Sequence, residues 1–288
     1  MKIDPRGKVL PAVHRLPASD GSAHADAGRA QGTVTAVLAH ATGFHGRVWE
    51  PTARRLPGVD CHALDLRGHG DTPVPEGYDF PWAAFGDDVL AVADGLTAHA
   101  RGGLVGIGHS CGGAALVLAE AARPGTFDSL WLYEPAAFPP PAAGEVQSNP
   151  LVEPTKRRRP TFADRAEAAR NYASKPPMDA FDPEVLAAYV EHGFADEADH
   201  VRLKCRPENE AQVYVSSLVA EVYAAMAEVR CPVVLVQGVE SPSGRFDRLA
   251  EQFPDARLES HPDLGHFGPL THPERIAASI RDWLATRS

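Results

Sequence analysis

The feature of this sequence that most constrains its fold is an alternation of short apolar runs with longer helix-like runs. The short runs are bounded by turn residues and predict strands at residues 33–39, 60–64, 103–107, 129–133 and 232–237. The longer runs predict helices at residues 85–100, 112–122, 245–252 and 273–286. Strands that are buried on both faces of a parallel sheet have continuous apolar sequences, such as the Val-Val-Leu-Val of the last strand. The alternation therefore predicts an α/β fold, with a doubly wound and mostly parallel sheet covered by helices.

An insertion interrupts this alternation after residue 137. The segment 138–213 is rich in proline and charge, and its sequence contains no good strand. Helices are predicted in or near it at residues 161–174, 182–192 and 207–222. We therefore expect a core formed by residues 1–137 and 214–288, and a helical cap, or lid, formed by residues 138–213.

The cap segment contains the only basic run of the chain, Lys-Arg-Arg-Arg at residues 156–159. An exposed and solvated turn is one interpretation of this run. A site that attracts an acidic substrate is the other. The sequence leaves both open.

Composition and charge exclude several classes of function. The chain has 288 residues, and its 28 Lys and Arg against 38 Asp and Glu produce a formal charge of −10, which repels nucleic-acid phosphates. Its 4 cysteines form no C-x-x-C pair, which argues against a disulfide scaffold and a structural zinc site. The N-terminus lacks the apolar core of a signal peptide, and no apolar run is long enough for a membrane span. We expect a cytoplasmic protein that binds neither nucleic acid nor membrane, and homo-oligomer formation stays open.

The most informative motif is Gly-His-Ser-Cys-Gly-Gly at residues 108–113, which follows a buried strand and opens an alanine-rich helix. It matches G-x-S-x-G in the strand-turn-helix context that this motif requires. A serine on so sharp a turn crowds the residues two places away on either side, so both must be glycine. The pattern predicts Ser110 as a nucleophile, and an idle serine at a glycine-rich helix start is the alternative. The glycine spacing fits neither a dinucleotide site nor a P-loop, so no cofactor is expected.

Three further motifs accompany this serine. They are Leu-Ala-His-Ala-Thr-Gly-Phe at residues 38–44, Asp-Leu-Arg-Gly-His-Gly at 65–70 and Leu-Gly-His-Phe-Gly-Pro at 264–269. In this order, the four motifs resemble those of the α/β-hydrolase superfamily across the whole core. The cap also falls where that family inserts one.

The resemblance implies a serine mechanism. Ser110 is then the nucleophile, and His266, in the loop before the last helix, is the general base. The oxyanion hole is implied to consist of the backbone N–H groups of Cys111 and Thr42. Phe44 is the alternative second donor, because Ala41 replaces the glycine that is usual in this loop.

The acid that orients the histidine has two candidates. The commonest family pattern places an Asp a few residues after the strand 232–237, where this chain has Ser241 and, one place earlier, Glu240. Some members, including haloalkane dehalogenases and zearalenone-type lactonases, use the end of the strand before the cap, where this chain has Glu134. Parallel strands put that end beside Ser110, and the following proline restricts Glu134 to an extended conformation. Glu134 is the favoured acid, and Glu240 is the alternative.

The Asp-Leu-Arg-Gly-His-Gly motif contains Asp65, Arg67 and His69, which together raise the question of a metal site. We interpret the motif as a structural turn beneath the mouth of the site. The nearest histidine pair, His40 with His45, has no accompanying carboxylate motif, so no metal is expected.

These observations predict a cofactor-independent serine hydrolase that cleaves a carboxylic ester or lactone through an acyl-enzyme on Ser110. A hydrophobic small-molecule substrate is expected to contact aromatic residues of the cap, namely Phe138, Tyr172, Phe181, Tyr189 and Phe194. A C–C bond hydrolase or perhydrolase-like enzyme on the same triad is one alternative. A non-catalytic ligand receptor on a hydrolase scaffold is the other.

Overall fold

The computed structural model describes residues 10–17, 32–140, 148–217, 221–238 and 245–286. The strands within these ranges are β1 (Val13–Arg15), β2 (Val34–Ala39), β3 (Val59–Leu64), β4 (Leu104–His109), β5 (Ser129–Tyr133), β6 (Thr161–Phe162), β7 (Phe194–Asp196), β8 (Val201–Leu203), β9 (Val233–Gly238) and β10 (Ala256–His261). The helices are α1 (Glu50–Ala53), α2 (Ala83–Thr97), α3 (Cys111–Ala122), α4 (Val152–Lys156), α5 (Arg165–Ala173), α6 (Pro183–Gly193), α7 (Pro207–Ser216), α8 (Glu221–Ala225), α9 (Arg245–Ala250), α10 (Gly268–Thr271) and α11 (Pro273–Ala285). None of these helices combines the length and the apolar character needed to span a membrane.

The central sheet has the strand order β1-β3-β2-β4-β5-β9-β10. Strand β1 is antiparallel to β3, and the other neighbouring pairs are parallel. The predicted mostly parallel α/β sheet is therefore confirmed. The sequence pattern missed the two edge strands: β1 is only three residues long, and β10 has no fully buried residue, so neither contains the apolar run that identifies a central strand.

Two apolar layers cover the two faces of this sheet. Alternate side chains of β2 enter different layers, since Ala36 and Leu38 pack on one face and Val37 and Ala39 on the other. Helices α2 and α3 cover the second face, while α11 covers the first with its buried residues, Ile276, Ala277, Ile280 and Trp283. Burial on both faces explains why the central strands have continuous apolar sequences.

The segment that was predicted to form the cap lies between β5 and β9 in sequence. Helices α5, α6 and α7 overlap the three predicted cap helices. The expectation that this segment contains no strand is wrong, because β6, β8 and β7 form a small antiparallel sheet in that order. These strands have two or three residues each, too few for a periodic pattern. Helix α7 continues beyond residue 213, where the cap was predicted to end.

Candidate active site

Ser110 lies on a strained turn between β4 and α3. Its φ of +52° and ψ of −116° are rare for a residue with a side chain. A Cβ atom on Gly108 would lie 2.6 Å from the Cα of Gly113, and one on Gly112 would collide with the carbonyl of Ala39. The glycines of the motif are therefore required by close backbone packing, which aims Ser110 above the edge of the sheet at the start of a helix.

His266 and Glu134 form a hydrogen-bonded pair beside this turn. The distance between Nδ1 of His266 and Oε2 of Glu134 is 2.7 Å. The other carboxylate oxygen, Oε1, accepts a hydrogen bond of 2.8 Å from the backbone N–H of Gly238. Glu134 is buried and His266 is 38% exposed. A buried carboxylate that receives Nδ1–H leaves Nε2 as the ring nitrogen that is able to accept a proton.

The backbone of Glu134 differs from the expected extended conformation. Its φ is +42°, in the left-handed region, although a proline follows it and restricts its backbone. The N–H of Glu134 donates to the carbonyl of Val236 at 2.9 Å, and its carboxylate is held by Gly238 and His266. These hydrogen bonds to the next strand and to the histidine loop compensate the backbone strain.

Two side chains to which the sequence assigned no role hold the histidine loop. Nε2 of His109 donates to the carbonyl of His266 at 2.8 Å, and the Tyr133 hydroxyl donates to the carbonyl of Gly265 at 2.8 Å. Burial lowers the pKa of His109 well below its usual value, so its ring is neutral and acts as a donor. The one sequence signal for His109 was that it directly precedes Ser110, which places it near the site.

Ser110, Glu134 and His266 line a common cavity of about 160 Å³. Its described lining also includes residues of the loop after β2, of the segments before α2 and after β5, of the C-terminal end of α7 and of the histidine loop, namely Ala41, Thr42, Trp82, Ala136, Phe138, Asn149, Leu151, Tyr214, Ser217 and Phe267. No lysine or arginine occurs among these lining residues. The structure thus brings the predicted nucleophile, base and favoured acid together at one mostly apolar cavity. Glu240 and Ser241 lie outside the described residues.

The two alternative oxyanion donors lie in different places. Thr42 lines the cavity with Ser110. The backbone N–H of Phe44 donates to the carbonyl of Ala41 at 3.2 Å, and its ring packs against Tyr189. The geometry favours Thr42 over Phe44, together with the N–H of Cys111 at the start of α3. Burial raises the pKa of the Cys111 thiol to about 12, so this thiol is not a nucleophile.

The motif at residues 65–70 forms a buried turn beneath the loop after β2. The Asp65 carboxylate accepts hydrogen bonds from the backbone N–H groups of Gly46 and Asp71, at 2.7 and 2.8 Å, and contacts His14. His14, Asp65 and Asp71 are the one group with the spacing of a metal site among the described residues. Because the oxygens of Asp65 already hold two loops in place, we assign this group a structural role.

Four of the five aromatic residues that were predicted to contact substrate lie away from the cavity. Phe138 lines it. The other four are buried and do not line it. The ring of Tyr172 packs against those of Tyr189 and Phe194, and the ring of Phe181 packs against Phe44 and Phe267. The prediction is corrected for these four, because an aromatic ring in an inserted segment has the same sequence signature whether it packs the segment or faces a ligand. The sequence analysis missed the cavity residues Trp82, Asn149, Tyr214 and Ser217, because they belong to no motif and only the fold brings them to one cavity.

The chain is similar to several known proteins. The model of the alpha/beta hydrolase family matches residues 36–279. The chain is 32% identical over 265 residues to Lipase LipV of Mycobacterium tuberculosis, covering 89% of this chain and 95% of that protein. It is 25% identical to a pimeloyl-[acyl-carrier protein] methyl ester esterase of Chromobacterium violaceum, covering 88% and 94%. Its fold is similar to that of the peroxisomal alpha-beta-hydrolase Lpx1 of Saccharomyces cerevisiae, with a TM-score of 0.79, 20% identity and coverage of 94% and 80%.

Proposed function

Because this chain belongs to the alpha/beta hydrolase family and is a hydrolase, we propose that it cleaves a carboxylic ester or lactone through an acyl-enzyme on Ser110. One observation carries the proposal: the His266–Glu134 pair lines the same cavity as a serine on a strained strand-to-helix turn. This is the arrangement of nucleophile, base and orienting acid that acyl transfer requires.

The reaction proceeds in two halves. Oγ of Ser110 attacks the ester carbonyl while Nε2 of His266 takes the hydroxyl proton, and the buried Glu134 carboxylate stabilises the imidazolium. The carbonyl oxygen becomes an anion that accepts hydrogen bonds from the N–H groups of Thr42 and Cys111. The C–O bond of the ester then breaks, and His266 returns the proton to the leaving alcohol. Water attacks the acyl-enzyme by the same steps and releases the acid and free Ser110.

The cavity narrows the class of substrate. Its volume of about 160 Å³ suits a short acyl group better than a long chain. The described lining contains no Lys or Arg but includes the Glu134 carboxylate, so a neutral acyl group is favoured over an anionic one. The names of the relatives, a lipase and a methyl ester esterase, support an ester as the bond that is cleaved.

A panel of p-nitrophenyl esters, from acetate to octanoate, tests the proposal together with a fluorophosphonate probe. We expect turnover that is fastest for the short neutral esters, and stoichiometric labelling of Ser110. Ser110→Ala should abolish labelling and lower kcat at least about 10³-fold. Ser174→Ala, at an exposed serine of the cap, is the matched control and should keep full activity.

Two outcomes would contradict the proposal. Labelling of Ser110 without turnover of any ester would indicate a receptor on a hydrolase scaffold. Turnover that persists in Ser110→Ala above about a tenth of the wild-type rate would remove Ser110 from the mechanism.

A further inference from the structure

Arg158, the third residue of the basic run 156–159, is turned inward. Its guanidinium contacts the Glu210 carboxylate, and its Nη2 donates a hydrogen bond of 2.8 Å to the Tyr189 hydroxyl. Its neighbours Lys156 and Arg159 instead form exposed pairs with glutamates of the cap surface. Arg158 is therefore neither a solvated turn residue nor a free charge for attracting an acidic substrate.

The Arg158–Glu210 pair lies directly on the loop that contains Thr42. A Cβ atom on Gly43 would lie 2.6 Å from Oε1 of Glu210 and 3.3 Å from Nη1 of Arg158. The φ of Gly43 is +84°, so the backbone at this point has a conformation that favours glycine. The cap carboxylate thus touches the backbone one residue after the proposed oxyanion donor.

The opposite side of the same loop rests on the core. Nδ1 of His40 donates to the carbonyl of Ala41 at 2.8 Å, and Nε2 of His40 accepts from the N–H of Leu66 at 3.0 Å. The loop is therefore held between a buried histidine below and the Arg158–Glu210 pair above. The histidine fixes the start of the loop. The contact at Gly43 acts on its later part, together with the hydrogen bond from the N–H of Phe44 to the carbonyl of Ala41.

Helix α7 connects this contact with the cavity. Glu210 and Tyr214 are four residues apart on α7, so their side chains lie on one face of the helix. Tyr214 lines the cavity beside Ser110, while Glu210 covers Gly43. One helical face of the cap therefore contacts both the substrate space and the oxyanion loop.

We propose that Arg158 and Glu210 form a positioning pair, which presses the loop 41–44 into the shape that presents the Thr42 N–H to the oxyanion. The inference rests on the proposed serine mechanism. Burying two charges costs free energy that an apolar contact would avoid, and a buried ion pair is best justified where it specifies one conformation. Here the specified conformation is that of a glycine loop, whose small displacement weakens a hydrogen bond that forms only in the transition state.

The test compares two glutamates that are each paired with an arginine of the same basic run. Glu210→Gln keeps the size of the side chain and removes the charge beside Gly43, and Glu167→Gln does the same to the exposed partner of Arg159. With p-nitrophenyl acetate, Glu210→Gln should lower kcat about tenfold or more with KM changed less than about twofold. Its affinity for a trifluoromethyl ketone, which forms an oxyanion on the serine, should fall by a similar factor. Glu167→Gln should match the wild type in both measurements.

A second pair of variants keeps the test valid if Glu210→Gln fails to fold. Arg158→Lys retains the charge but loses the planar guanidinium, and Arg159→Lys is its control. The same split between kcat and KM is expected for Arg158→Lys. A variant with lowered thermal stability but wild-type kcat and ketone affinity, measured well below its melting temperature, would overturn the positioning role. Absence of any wild-type turnover would instead overturn the serine mechanism itself, and with it this inference.

Discussion

The edge of the core sheet and the cap each contain a buried glutamate with a basic partner, but the two pairs face different surroundings. Glu134 is anchored by the backbone of the next strand and offers one oxygen to a histidine that is 38% exposed. Glu210 is paired with Arg158, which also donates to the Tyr189 hydroxyl, and lies against the loop at Gly43. The strand end thus places a carboxylate at the cavity beside Ser110, whereas the polar pair of the cap holds the cap against the loop below it.

The largest expected effect breaks the pair at the sheet edge. Glu134→Gln keeps the shape of the side chain but removes the charge that stabilises the imidazolium, and we expect kcat to fall about 10³-fold or more. Glu240→Gln, the matched change at the alternative acid, should keep kcat within about threefold of the wild type. Steady-state kinetics on a short p-nitrophenyl ester, with melting temperatures for both variants, measures this.

The opposite ranking of these two variants would identify Glu240, and not Glu134, as the acid that orients His266. Equal and small losses in both would show that neither carboxylate orients His266. Either result would remove the proposed difference between Glu134, which acts on the catalytic histidine, and Glu210, which holds the cap.

The second prediction separates packing aromatics from cavity aromatics. Phe194 is fully buried inside the cap, so Phe194→Ala should lower the free energy of unfolding by about 3–5 kcal/mol. Phe138 lines the cavity, so Phe138→Ala should change KM several-fold across an ester panel with a smaller loss of stability. Urea unfolding and the ester panel measure the two effects. A selective change of KM in Phe194→Ala, without loss of stability, would return that ring to the substrate-binding surface.

The smallest effect concerns the buried histidines under the oxyanion loop. Burial lowers the pKa of His40 to about 3 and the pKa values of His45 and His69 to about 4, from 6.5 in the unfolded chain. Neither Nδ1 of His45 nor Nε2 of His69 has a hydrogen-bond partner among the described residues, so a proton added there lacks an acceptor. The unfolded chain binds more protons than the folded chain, so stability falls as the pH falls below about 7 and continues to fall towards pH 4.

Between pH 7 and pH 6 the three histidines together should reduce the free energy of unfolding by about 2 kcal/mol. His200 of the cap has the opposite effect on stability, which it increases as the pH falls, because a hydrogen bond to Asp199 raises the pKa of this exposed ring. Urea unfolding at pH 7, 6.5 and 6 measures the slope. A stability that is flat or rises towards pH 6 would show that these core histidines are not kept neutral by folding.

Much of the core and of the site could be predicted from local sequence. The apolar runs of the central strands identify themselves because both faces of the sheet are buried, and the glycines around Ser110 identify the turn because only glycine fits there. His266 follows from its motif and its position before the last helix. The edge strands β1 and β10 were not predicted, because half-exposed or very short strands contain no continuous apolar run.

Local sequence was sufficient for the central strands, the main helices, the turn that carries Ser110 and the short list of two glutamates. Only the tertiary structure decided that Glu134 meets His266, that Arg158 faces inward, and that four cap aromatics pack away from the cavity. The physical reason is distance along the chain. Strand runs and glycine turns are constrained by neighbours within a few residues, whereas Glu134 meets His266 across 132 residues and Arg158 meets Glu210 across 52. Such pairs depend on how separate elements pack, and the sequence around each partner looks the same whether the pair forms or not.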